Sequence, residues 1–239
     1  MIHETALVHP GAKLGNGVKV GPFALINDGV EIGDDSIIHS HCVIGSDAGQ
    51  LIVGKRSLVR SHTVIYSGSV LGDDLETGHH ATIREKTTCG LNFRIGSYSD
   101  CQGDSFFGDY VRLHSNVHIA KGTNVGNCVW FFPRSTTLND PSPPSNFRLS
   151  STIGDFSVIS SGVIINPGVN VGINSLIGSS SLVTRDIPSN VLAFGNPARV
   201  IKSIEQVTLF DGTTYSPWVN HFKDGKSDLY LELWNKTSR

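Results

Sequence analysis

The stretch TGHHATIRE, residues 77 to 85, places two histidines side by side and then an Arg-Glu pair, in a chain otherwise built from small and branched apolar residues. An imidazole titrating near neutrality can take a proton from an attacking amine or hydroxyl. That transfer typically contributes about 100-fold to 10,000-fold to a rate. His79 and His80 are therefore the first candidates for acid-base chemistry. His62, His114 and His118 add further imidazoles, Tyr98 and Asn116 add polar groups, and Asn139 and Asp140 open a Pro- and Ser-rich segment, TLNDPSPPSNFRLSST.

What positions these residues is a six-residue period, not a helical one. An apolar residue returns every six positions from Ile2 to Ile44, from Val53 to Phe131 and from Ile153 to Val183, which makes 28 hexads. Thr77 is the only polar leading residue among them. The fifth position is Ala, Ser, Thr, Val or Cys except at Leu75, Phe93 and Ile187, and 14 second positions are Gly. Each hexad reads as a short strand plus a corner, with its leading and fifth residues inward and Gly relieving crowding near the bend. Three hexads close one coil, and parallel pairing at about 4.8 Å per coil predicts roughly nine coils in a prism about 45 Å long. The fold class is all-β, a parallel β-helix over residues 1–202 with a protruding loop at 137–152. Residues 203–239, with Phe210, Tyr215, Trp218, Phe222, Tyr230 and Trp234, are expected to cap the last coil.

Hexads 18 residues apart stack. One column then collects His3, His39, His41, His62, His79, His80, His114 and His118, together with Tyr98, Asn116 and Arg134. Polar tolerance at corners would have spread histidines over all three columns, so the clustering points to a site.

The bulk composition narrows the partners. Charged residues are 17% of the chain and the formal net charge is −2, which excludes a basic nucleic-acid footprint. No long apolar run and no signal-peptide pattern occurs, so a cytoplasmic protein without membrane contact is expected. Cys42, Cys89, Cys101 and Cys128 have no CxxC spacing and are expected to be reduced packing residues.

The [LIV]-G-x-x-[AST]-x hexads resemble those of the hexapeptide-repeat acyltransferases, which implies a left-handed helix and a homotrimer with active sites between subunits. His79, third in its hexad, matches the position of the base in the similar UDP-sugar acyltransferases of lipid A synthesis. The resemblance thus implies His79 as the proton acceptor and His80 as a binding or orienting group. The backbone N–H of Ser97, one coil on, is expected to receive the oxyanion. The GH-x-x-x-IRE segment and the Asn-Asp-x-x-Pro loop are more similar to the nucleotide-amino-sugar N-acyltransferases. Gly78, His79, Ile83, Arg84, Glu85, Asn139 and Asp140 match, while Pro141 and Ser142 depart from the usual basic or aromatic residues. The implied substrate-binding set is His62, His80, Arg84, Glu85, Tyr98, His114, Asn116, Asn139 and Asp140. GNPAR, residues 195 to 199, is like the segment after the last coil in coenzyme A-dependent members, so Arg185, Asn196, Arg199 and Lys202 are the candidates for an acyl-CoA co-substrate.

The function expected is acyl transfer, most simply of acetyl, to a nucleotide-linked amino sugar for surface polysaccharide, with no metal. O-acetylation of a sugar is its near variant. The gamma-class carbonic anhydrases share this fold and bind zinc through three histidines, which His79 or His80, His114 and His118 could imitate. A non-catalytic assembly module is the third alternative.

Overall fold

The computed structural model describes residues 1–46 and 49–215, with Glu232 and Asn235 in addition. The described residues wind into a left-handed parallel β-helix of about ten turns, one more than the hexad count implies. Three sheets of ten, nine and eleven strands form its faces. Sheet I starts at Leu7–Val8, sheet II at Lys13–Leu14 and sheet III at Lys19–Val20. Register follows the 18-residue spacing, as where Thr82 and Ile83 pair with Asp100 and Cys101.

The core is the stack of leading and fifth residues. Ile83, Ile95 and Phe107 are at most 1% exposed, and Ala81 and Ser99 beside them are equally closed off. Burying each aliphatic or aromatic side chain of this kind contributes about 1.5–3 kcal/mol, and the repeat sums it layer by layer. The four cysteines are buried and free, and burial pushes the Cys42 thiol up to about 11.

Corners are made by the fourth residue of most hexads, which is left-handed and more often not glycine: His62, His80, Tyr98 and Asn116 have φ of 62°, 55°, 59° and 59°. The second-position glycines serve close approach instead. A Cβ on Gly78 would lie 2.2 Å from the Ser97 nitrogen, and one on Gly96 would lie 2.5 Å from the His114 carbonyl carbon.

Thr77 has a structural partner in the ladder that the hexad count ended one unit too early to include. Thr137 is also inward and 0% exposed, paired with Ile165 in sheet I, so the excursion leaves the helix after it. Both hydroxyls stand in for backbone. Thr77 Oγ1 accepts from the Arg60 N–H at 2.9 Å and meets Thr63 Oγ1 at 3.1 Å. Thr137 Oγ1 does the same with the Ala120 N–H at 2.9 Å and Thr123 Oγ1 at 3.2 Å. Elsewhere this position bonds main chain to main chain, as Gly78 N–H does to the Ile95 carbonyl.

Both interruptions of the period fall at the corner between sheets I and II. One follows Val43–Ser46, and the other runs from Thr137 to Thr152. The last coil is closed by the hairpin Val191–Gly195 with Ala198–Ser203, which buries Ala193, Ala198 and Ile204. The segment after it turns down the side, where Tyr215 packs on the Tyr110, Cys128 and Phe156 cluster, while Phe210 is fully exposed. Of the aromatic residues expected to cap the last coil, Trp218, Phe222, Tyr230 and Trp234 lie outside the described residues. Among the described residues, no helix is long and apolar enough to cross a membrane.

Candidate functional site

The corner between sheets III and I carries the histidine column. His79 is exposed, its Nδ1 lies 2.7 Å from Ser61 Oγ one coil below, and its backbone N–H donates to Ser97 Oγ at 3.0 Å one coil above. The Ser97 N–H meets no acceptor among the described residues. His80 points elsewhere. It belongs to a rail of parallel rings, Phe23, His41, His62, His80 and Tyr98, with centroids 5.2, 4.9, 4.6 and 5.1 Å apart. The common left-handed corner aims all five the same way, so their faces cover one another and the edges meet solvent. Desolvation and then the neighbouring imidazoles of His80, His41 and His79 hold the His62 pKa below its ordinary value. His114 stacks on Phe132 at 4.6 Å, and burial, then Arg112, lowers its pKa. Asn116 takes the next corner position and is exposed.

Beside His79, a surface groove of about 350 Å³ runs over four coils and is lined by Arg60, Glu76, His79, Arg94, Ser97 and Arg112, with His114 at its edge. Arg60 donates to Glu76 at 2.8 Å and to the Thr77 carbonyl at 2.8 Å, the carbonyl released by the hydroxyl substitution. Arg94 lies 3.4 Å from the other Glu76 oxygen, and Arg112 lies over the Trp130 ring at 5.0 Å.

Arg84 and Glu85 follow His79 closely in sequence, but the structure places them at the corner between sheets I and II. There they pair with each other at 3.0 Å, Arg84 covers Tyr66 at 5.5 Å, and Lys121 reaches Glu85 at 3.6 Å and Asp104 at 2.7 Å. Burial raises the Glu85 pKa, but its backbone hydrogen bond, Arg84 and Lys121 outweigh it and leave the pKa low. The excursion leaves this corner, and Asn139 Nδ2 donates to the Lys121 carbonyl at 3.1 Å. Asp140 is turned into its own loop. It accepts from the Ser142 and Ser145 N–H groups at 3.1 and 2.9 Å and from Ser145 Oγ at 2.6 Å, and it pairs with Arg148 at 3.1 Å. These bonds make it the pin of the loop.

His118 opens a strand of sheet I between these corners. Its Nδ1 lies 3.0 and 3.1 Å from the two Asp100 oxygens, and Gln102 donates to the same carboxylate. The bond to Asp100 raises the His118 pKa against partial burial. Burial raises that of Asp100, but His118 and Gln102 bring it below the ordinary value. A carboxylate on Nδ1 leaves Nε2 as the basic nitrogen, the arrangement that general bases use.

The C-terminal candidates divide. Asn196 precedes a cis Pro197 in the hairpin turn, Arg199 bonds the Ala198 carbonyl at 2.9 Å, and Lys202 bonds the Gln206 carbonyl at 2.8 Å. Arg185 is exposed on the segment that follows sheet I, at the corner between sheets I and II. His79, His80, His114 and His118 do not converge, and no three potential metal ligands gather among the described residues.

The groove arginines and the His118–Asp100 pair escape a search centred on histidines at corners. Their signal is present in the sequence, because Glu76, Arg94 and Arg112, and likewise Asp100 and His118, are 18 residues apart on one face.

Comparison with known proteins bears on the fold and the family. The family model described as bacterial transferase hexapeptide (six repeats) matches residues 2–46. The acyl-[acyl-carrier-protein]–UDP-N-acetylglucosamine O-acyltransferase of Stutzerimonas stutzeri is 30% identical over 211 residues, 83% of this chain and 72% of that protein. Galactoside O-acetyltransferase of Escherichia coli is 58% identical over 118 residues, but these are only 40% of this chain and 58% of that protein. The Arabidopsis UDP-N-acetylglucosamine acyltransferase structure superposes with a TM-score of 0.73 over 85% of this chain and 74% of its own, at 19% identity.

Proposed function

Because the chain belongs to the hexapeptide-repeat acyltransferases, we propose that it transfers an acyl group, acetyl in the simplest case, from coenzyme A to the amine of a nucleotide-linked amino sugar. The observation that carries this reading is the groove, where an imidazole with an oriented ring, an N–H without an acceptor and a guanidinium cluster lie together. The acceptor nitrogen attacks the thioester carbonyl and passes a proton to His79. The Ser97 N–H receives the oxyanion, and collapse breaks the C–S bond to give the N-acyl sugar and, on protonation, the free thiol. A free amine is already nucleophilic, so positioning carries much of the rate.

His118 offers a second reading for the base, favoured by its carboxylate partner. O-transfer is the corresponding reading for the acceptor, since galactoside O-acetyltransferase is the relative of highest local identity described above. Placement of His79 on one corner and of Arg84, Glu85 and Asn139 on the next supports sites completed by a second copy, as in a homotrimer. Asn196, Arg199, Lys202 and Arg185 remain candidates for the phosphates of coenzyme A. Incubation with acetyl-CoA and a panel of nucleotide amino sugars and sugar alcohols, following thiol release, tests the reading. Release with an amino sugar supports it, and no release above background with any acceptor rejects it.

A further inference from the structure

We infer that the Ser115 hydroxyl is a second donor to the reacting carbonyl oxygen, beside the Ser97 N–H. The role rests on the acyl transfer proposed above, because the oxygen it meets belongs to that reaction. Its basis is a pair of unused hydrogen-bonding groups in the groove of His79.

At several corners, a side chain at the third place of a hexad caps the third-place N–H one coil below. Asp34 accepts from the Asn16 N–H at 2.8 Å, Asp73 from that of Lys55 at 2.9 Å and Asp109 from that of Leu91 at 2.7 Å. Serine is long enough for this bond, since Ser97 Oγ accepts from the His79 N–H at 3.0 Å and Ser189 Oγ from the Ile173 N–H at 3.0 Å. Ser115 stands over Ser97 as Ser97 stands over His79, on register-paired strands. Its hydroxyl is turned aside. A Cβ on Gly78 would lie 2.6 Å from Ser97 Oγ, whereas the three atoms nearest to one on Gly96 belong to the main chain of His114 and Ser115. Among the described residues, neither the Ser97 N–H nor the Ser115 hydroxyl has a hydrogen-bond partner, and both residues line the groove with His79.

The capping place over an N–H is the place an oxyanion takes. With the hydroxyl rotated out of it, an oxygen that enters accepts from the Ser97 N–H below and from the Ser115 O–H beside it. As the acceptor nitrogen adds to the thioester carbon, the C=O π pair moves onto this oxygen. Hydrogen bonds to a charged oxygen are roughly twice as strong as those to a neutral one. The hydroxyl therefore acts more on the transition state than on the bound thioester. Collapse returns the pair to carbon, the C–S pair leaves with sulfur, and Ser115 keeps its proton throughout.

Thiol-release kinetics of the full chain, with acetyl-CoA and the panel of acceptors above, test the role through Ser115→Ala and Ser115→Thr. Ser115→Ala should lower kcat about 100-fold with little change in KM or in thermal midpoint, and Ser115→Thr, which keeps the hydroxyl, should recover most of the loss. The pH profile should keep its shape, which separates this loss from loss of the proton acceptor. Ser179→Ala is the control, because Ser179 stands over the equally uncapped Ser161 N–H outside the groove, and its kcat should match that of the wild type. An unchanged kcat in Ser115→Ala, or an equal fall in Ser179→Ala, overturns the role and leaves the reaction standing. No thiol release by the wild type with any acceptor overturns the reaction and this role with it.

Discussion

His79 and His118 each offer one free ring nitrogen to solvent, and they differ in what holds the other. His79 Nδ1 meets the hydroxyl of Ser61, which can donate or accept, so either tautomer is satisfied. His118 Nδ1 meets a carboxylate, which accepts only, so its proton is fixed on Nδ1 when the ring is neutral. The first ring sits in a groove with arginines and an available N–H, whereas the second sits on a sheet between that groove and the Lys121 corner. One location is better furnished to stabilise negative charge, and the other to take up a proton.

Replacement by alanine separates them most sharply. Loss of the true base should lower kcat/KM by about 100-fold to 10,000-fold, with much less effect at the other position. Thiol-release kinetics of His79→Ala and His118→Ala read this directly, and equal small losses in both would mean that positioning dominates. Thr77→Val tests the frame of the groove. It leaves the Arg60 N–H unpaired in the interior and should cost about 1–3 kcal/mol in denaturant unfolding, as should Thr137→Val through the Ala120 N–H.

The Asp100–His118 pair predicts a pH signature. His118 has a raised folded pKa, so its stabilising contribution is full below the ordinary imidazole range and is lost as pH rises through the raised value. Asp100 has a lowered one, so its contribution is present above the ordinary carboxylate range and is lost as pH falls through the lowered value. Asp100→Asn should therefore destabilise more at pH 5.5 than at pH 8.5, and ring-proton titration should show the His118 pKa falling. If His118 is the base, the acidic limb of kcat/KM shifts to lower pH in that variant; an unmoved limb assigns proton transfer to another group. The smallest effect is expected for Arg84→Ala, whose surface pair with Glu85 contributes about 0–1 kcal/mol to unfolding. Where Arg84→Ala is inactive alone, mixing it with His79→Ala subunits should restore activity if the two corners meet across copies, and failure to restore it argues that each chain acts alone.

The contrast between the two histidines also shows what could be read in advance. The hexads are visible because the core demands an inward residue at a fixed interval, and Ile83, Ala81 and Phe107 obey it. The stacking of His62 on His80 follows from the same interval. The motif does not tell which corner each of its residues occupies. Glu85 is six residues from His79, but one hexad carries the chain to the next corner, so the IRE segment joins Lys121 and Asn139 instead. Asp140 is marked in the sequence by the Asn-Asp-x-x-Pro resemblance, which says nothing of its partners. Only the fold shows that Ser142, Ser145 and Arg148 already occupy it.

The two threonine rungs have a dynamic consequence. A main-chain bond between coils breaks only when the backbone moves, whereas the bonds from Arg60 and Ala120 rest on hydroxyls that a single χ1 rotation can withdraw. At this position of the hexad, the groove floor and the root of the excursion are therefore expected to open more readily than the coils bonded main chain to main chain. Amide hydrogen exchange should map that pattern, with the Arg60 and Ala120 amides opening ahead of their equivalents at Gly78 and Gly96.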